Sequence, residues 1–321
     1  MGMLRDNLRK LLELPDSRTA AEIRHYLLAR QLRRDKEFTR KVASALGAGF
    51  LENTQQVFGK QPADTLFILA GGTSVNELTQ QHLRHVGRHR SIGINFWPIH
   101  SFIPNGLATE TDNLAGPPSR SNVFISEKIS GPAYRAHLES VITLRPPFPP
   151  NPDRLYNLPS KIRKNSFIYG RANLITRSEK NLKTDLARAL RATVQSEGRL
   201  SVVPDNGSSV VRLTFLALAH GFKEIVWVGV DQDSKGYFWT SPPIKIAYQN
   251  AATLFPRKEG EAHSTSSAEN RLFSNDFFLR SLSEAIAETT NSRIYVSSPN
   301  SSLSDAIPVY PWPNSSSDEL A

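Results

Sequence analysis

The segment Leu66 to Leu78, LFILAGGTSVNEL, sets two glycines between a short apolar run and a polar stretch of helical pattern. At such a strand-to-helix turn, Gly71 and Gly72 lack the Cβ atoms that would hold a ligand off the backbone. The amides of Thr73 and Ser74, at the positive end of a helix, then suit an anion or a nucleotide. The turn has neither the GxGxxG pattern nor a Gly-Lys-Ser/Thr sequence, so it is neither a dinucleotide fingerprint nor a P-loop. A plain tight turn is the competing reading. Gly207, Ser208 and Ser209 open a second helix in the same way, offering hydroxyls and amides to a nucleotide or carboxylate, or simply capping the helix. Asp231 closes the apolar run EIVWVGV at the C-terminal end of a strand, where open α/β sheets bind ligands. Asp233, two residues on, shares its face, although both could be solvated loop carboxylates.

Among eight histidines, His82 and His85 have the i, i+3 spacing of a metal pair and His89 follows, but no third ligand is evident. Exposed polar residues are the simpler account. His263 differs in lying in a polar loop just before the last helix, a place where catalytic groups occur when a scaffold holds them. The chain has no cysteine, which excludes disulfides, cysteine-ligated zinc and a thiol nucleophile, and fits a reducing cytoplasm.

The elements that must position these groups alternate. After TLFILA come a helix over SVNELTQQHLRHV, a strand in SIGINF and a third in GLATE (106–110). VITLR precedes the proline-rich PPFPPNPDRLYNLP, which can be neither a central strand nor a regular helix. SFIYG, the amphipathic EKNLKTDLARALRATVQ, a helix from Ser208 capped by Gly221, and the strand EIVWVGV follow. A helix from about Ser274 to Glu288, the strand RIYVSS and a Pro-Asn-Ser turn close the pattern. This alternation predicts an α/β fold: a Rossmann-like, mostly parallel sheet with helices on both faces. The expected organisation is a basic helical extension over 1–60, a nucleotide-sugar-binding domain over 61–313 with a lid-like segment at about 232–268, and a flexible tail over 314–321. Within the extension, Phe38, Val42, Leu46 and Phe50 are expected to line one helix face.

A chain of 321 residues, 39% hydrophobic, can bury a large core. No apolar run approaches the roughly 18 residues that span a bilayer, and the N-terminus is too charged for the core of a secretory signal. Of the net charge of +9, the first 60 residues supply more than half, with 12 Lys and Arg against 7 Asp and Glu. The segment could sit against an anionic membrane surface or an acidic glycan, or be a solvated helix face. Nucleic acid is not expected, since no nucleic-acid-binding motif accompanies the charge.

Taken together, AGGTSVNEL, INFW, GSSVVRLTFLALAHGFKEIVWVGVD and His263-Ser264 with the later YVSSPNSSL resemble, in order, the small bacterial sialyltransferases that use CMP-sialic acid, and relatives acting on other CMP-linked keto-sugars. The blocks cover roughly 40% of the chain. The resemblance implies donor contacts from Gly71, Gly72, Thr73, Ser74, Asn95, Ser208, Ser209, Tyr237, Asn300 and Ser301. It implies His263 as the base that takes the acceptor proton. CMP leaves readily, so no cofactor and no metal is expected. The implied partners are a CMP-sugar and a glycan or glycolipid acceptor; the expected location is the cytoplasm, with the basic segment allowing peripheral contact at the inner membrane face, and an oligomer is allowed.

The sequence departs from that family at several places. Gly71 stands where the family has an asparagine, and Asp233 where it has a second phosphate-binding tyrosine. Glu110 lies near the place of another missing asparagine. These changes open a retaining alternative similar to Kdo transferases, with Asp231 or Asp233 as nucleophile and Glu110 as acid/base. A pterin pyrophosphokinase-like enzyme and a non-catalytic nucleotide-binding protein are the remaining readings.

Overall fold

The computed structural model describes residues 36–44, 47–60, 64–109, 120–143, 160–174, 179–200, 202–232, 236–240 and 273–313. Its strands are β1 (Gly49–Phe50), β2 (Thr65–Leu69), β3 (Arg90–Ile94), β4 (Gly106–Thr109), β5 (Ser140–Thr143), β6 (Ser166–Ile168), β7 (Gly170–Asn173), β8 (Val202–Asp205), β9 (Glu224–Val228) and β10 (Arg293–Val296). The helices are α1 (Gln55–Phe58), α2 (Gln80–Gly87), α3 (Arg120–Ser130), α4 (Pro132–His137), α5 (Ser160–Lys164), α6 (Glu179–Gln195), α7 (Ser209–His220) and α8 (Asn275–Thr289). Eight strands form one sheet in the order β1-β6-β5-β4-β3-β2-β9-β10, and β7 and β8 form a separate pair. Every pairing is parallel. The expected α/β class is the observed one.

Alternation along the strands assigns the two faces. Leu66, Ile68, Ile225 and Trp227 join a core with residues of α6, α7 and α8, among them Leu186, Phe215 and Leu282. Phe67, Leu69, Val226 and Val228 point the other way, to Val86 of α2, Trp97, Phe238, Trp239 and Tyr310. Strands covered on both faces have no polar side to show, which is why β2 reads as an unbroken apolar run. α7, apolar around its whole circumference apart from Arg212 and Thr214, is buried from Val210 to Ala219.

Two helix ends follow their sequence signals. Gly221 caps α7 in the left-handed region at φ 97°, and Ser274 accepts from the Phe277 amide to open α8. The stretch after the glycine turn, expected as one helix, is instead a short 3₁₀ turn (Thr73–Glu77) followed by α2. Thr79 and His82 restart the chain there with a reciprocal capping box.

Part of the helical extension expected over 1–60 is described. Residues 36–44 are helical, but Val42 and Ala43 pack with Leu107, Val141 and Ile125 of the α/β core. Phe38, expected on the buried face, is exposed. Phe50 is in strand β1 on the sheet edge, and Leu51 is fully buried in the main core. Among the described residues no helix is long and apolar enough to cross a membrane.

Candidate functional site

From β2 the sheet grows in one direction through β3 to β6, while β9 and β10 lie on the other side of β2. The C-terminal ends of β2 and β9 are therefore the switch point of the sheet, where open α/β folds leave a crevice. The glycine turn follows β2 and Asp231 follows β9, so both stand at that switch point.

They are tied to each other. The Gly72 amide donates to the Gly229 carbonyl at 2.8 Å, and Ala70 donates to Val228 at 2.7 Å. Asp231 is buried, with Oδ2 accepting from the Ser74 amide at 2.8 Å and Oδ1 accepting from the Ser74 hydroxyl at 2.6 Å. The Thr73 hydroxyl lies 3.5 Å from Oδ2. A Cβ on Gly72 would fall 2.3 Å from that same Oδ2 and 2.6 Å from the Gly229 carbonyl. Gly229, at φ +67°, would meet Val75 and the Ala70 carbonyl in turn. The two strand ends interlock through glycines, and the anion seated on this 3₁₀ turn is the protein's own Asp231.

Residues 236–240, the described part of the expected lid, fold over the turn. Gly72 and Tyr237 form an antiparallel bridge, and the Phe238 amide donates to the Gly71 carbonyl at 2.9 Å. The Tyr237 ring stacks on Trp239 with centroids 4.4 Å apart and planes 9° from parallel. A Cβ on Gly71 would lie 3.1 Å from the first ring and 3.2 Å from the second. Gly71 thus admits an aromatic cover, and the Asn76 amide nitrogen secures it by donating to the Phe238 carbonyl at 3.1 Å.

The Pro-Asn-Ser turn reaches the same place. The Ser301 hydroxyl donates to the Val230 carbonyl at 3.1 Å, and the Ser302 hydroxyl donates to the Asp231 carbonyl. Asn300 donates to Glu77 at 3.0 Å, and Ser298 binds the other oxygen of that carboxylate. Glu77 ends the 3₁₀ turn and was not singled out from the sequence, since a lone glutamate in a helical pattern carries no signal. Asn95 follows β3, one strand along, in the left-handed region at φ 49° with its amide on the Ala108 carbonyl at 2.8 Å.

Ser208 and Ser209 stand at the start of α7. Because α7 returns through Gly221 to the start of β9, its own start lies toward the C-terminal edge of the sheet, as the glycine turn does. Ser208 does not cap the helix with its side chain. Ser209 accepts from Arg212 at 3.1 Å, and Arg212 forms an ion pair with Asp205 at 3.1 Å, both side chains buried. This pair escaped sequence reading, although a single arginine inside the apolar run from Val210 to Ala219 is a signal that a buried partner must exist.

The three clustered histidines are packing groups. His82 stacks on Trp312 at 4.4 Å, His85 lies 3.1 Å from the Tyr310 hydroxyl, and His85 and His89 are 4.6 Å apart by ring centroid. Among the described residues no group of three metal-ligating side chains occurs. His100 stacks on Trp97 and accepts from the Phe102 amide, and burial pushes its pKa down to about 4. His263, Asp233 and Glu110 lie outside the described residues.

No protein-family model matches the chain, and no curated protein matches it. Among solved structures it is similar to the sialyltransferase CST-II in complex with a trisaccharide acceptor and CMP. That match has 14% identity and a TM-score of 0.43, over 77% of this chain and 86% of the other. It is also similar to CstII from Campylobacter jejuni with a CMP-3FNeuAc substrate analogue, at 13% identity and TM-score 0.41 over 77% and 86%. The same enzyme with cytidine-5'-monophosphate gives 14% and 0.42 over 80% and 89%.

Proposed function

We propose that the chain is a glycosyltransferase that moves a keto-sugar, sialic acid, Kdo or a similar acid, from a CMP donor to a surface-glycan acceptor. The observation that carries this reading is the meeting of separated sequence blocks at one switch point. The glycine turn, Asp231 with Tyr237, and the Pro-Asn-Ser turn come together there. Those are blocks whose order in the sequence resembles CMP-sugar transferases.

The inverting branch is favoured by Asp231. A glycosyl nucleophile must aim an oxygen at the anomeric carbon, and both Asp231 oxygens are engaged by Ser74. In this reading His263 accepts the proton of the acceptor hydroxyl as that oxygen bonds to the anomeric carbon. The bond from that carbon to the CMP phosphate oxygen breaks, and the electron pair leaves on CMP. An imidazole near its ordinary pKa of about 6.5 suits the task at neutral pH. Tyr237 supplies a hydroxyl for the departing phosphate.

The test is transfer from CMP-sialic acid and CMP-Kdo to a panel of glycan acceptors, with CMP release and the anomeric configuration of the product measured. The expected result is an inverted product and a loss of about 100-fold or more on His263→Ala. Near-normal transfer by that variant, with a covalent sugar adduct by intact mass that Asp233→Ala abolishes, would establish retention instead.

A further inference from the structure

We propose that Arg212 is a positioning residue that turns the Ser209 hydroxyl into a directed donor for the ligand's anionic group. This inference rests on the reading of Ser209 as a ligand contact. A guanidinium only donates hydrogen bonds, so at 3.1 Å from Arg212 the Ser209 oxygen must accept. Its own proton is then released for another acceptor, and none is present among the described residues. Ser209 is half-buried at the start of α7, with its amide end toward the switch-point edge of the sheet. An oxygen polarised by a cation is also the stronger donor.

The arginine is held for this by the turn before the helix. Its side chain is fully buried, and its Nη1 donates to both oxygens of Asp205 at 3.1 and 3.3 Å. Asp205 Oδ1 also accepts from the Gly207 amide at 2.7 Å, while the Ser208 amide donates to Asn206 Oδ1 at 3.0 Å. The sequence Asp205-Asn206-Gly207-Ser208 is thereby fixed against Arg212, and Ser208 keeps its hydroxyl off its own helix. A buried ion pair seldom adds net stability over an apolar pair of similar shape. Orientation of Ser209 is what the pair supplies that apolar side chains would not.

The experiment is a double-mutant cycle on the full chain, read as the Kd for CMP and, in parallel, for UMP and AMP by calorimetry. Ser209→Ala should weaken CMP binding on the order of tenfold. Arg212→Lys keeps a charge for Asp205 but lacks the second nitrogen arm, and should weaken binding to a similar degree. In the Ser209→Ala background it should add less than about twofold. The neutral pair Asp205→Asn/Arg212→Met, which retains an acceptor for Gly207, should behave as Arg212→Lys does. Additive losses from Ser209→Ala and either arginine change would overturn the proposal, as would full CMP affinity in Arg212→Lys. Coupling seen with UMP or AMP but no binding of CMP would refute the CMP reading while sustaining the role of Arg212. No binding of any nucleotide would overturn both.

Discussion

Asp231 and the glycine facing it make opposite predictions for a tether and for a nucleophile. As a tether, Asp231 holds the amide and hydroxyl of Ser74, and Asp231→Asn removes the charge and presents an NH₂ where an acceptor is needed. The expected cost is about 1–3 kcal/mol in urea unfolding. An unchanged unfolding midpoint with complete loss of transfer would instead mark a nucleophile. Gly72→Ala would force a Cβ to 2.3 Å from that carboxylate and should cost about 3 kcal/mol. Gly71→Ala, which meets only ring edges at 3.1 and 3.2 Å, should cost clearly less. Equal effects at the two positions would contradict the interlocked arrangement. His100 gives the pH dependence. Its folded pKa of about 4 lies below its unfolded value of 6.5 because burial disfavours the charged ring. Between those values the unfolded chain binds the extra proton, so stability falls as pH drops from about 6.5 toward 4, by about 3 kcal/mol. His100→Asn, which keeps an acceptor for the Phe102 amide, should flatten that part of the stability profile measured by denaturant titration across pH.

Elements with a strong local signal are those the sequence announces. α6 spans the amphipathic run expected for it, β2 and β9 coincide with their apolar runs, and Gly221 caps α7 in the conformation that its type allows. What stayed hidden depends on tertiary pairing. β1 is two residues long and β8 carries a proline, so neither has a periodic signature, and each exists because a neighbouring strand completes it. The site was legible at the same level. Gly72, Asp231 and Ser209 are singled out by type and position and Tyr237 and Ser301 by the family resemblance, but the partners Glu77, Gly229 and Arg212 are visible only once the chain is folded. Leu51 and Val42, within the expected extension, are core residues. Leu51→Ala should cost about 2–5 kcal/mol in thermal or chemical unfolding. A chain starting at residue 61 should lose cooperative unfolding altogether, whereas a fully native, equally stable truncation would show that residues 1–60 are dispensable to the fold.

For the molecule as a whole, the sheet order places the end of β2 beside the end of β9, and the chain closes the gap from several sides. Asp231 bridges it, Tyr237 and Trp239 cover it, and Asn300 and Ser301 brace it. An edge tied in this way would suit the proposed function, in which a charged donor is held in one orientation while an acceptor approaches. Whether this edge receives a CMP donor, as proposed, is decided by a thermal-unfolding titration with CMP, ATP and GTP. At a ligand concentration of about 100 Kd, binding to the native state adds about 2.7 kcal/mol, enough to raise the Tm of a domain this size by several degrees. CMP should produce such a rise, and ATP and GTP none of similar size. A rise with ATP and no response to CMP would contradict the proposal and point to a pyrophosphokinase.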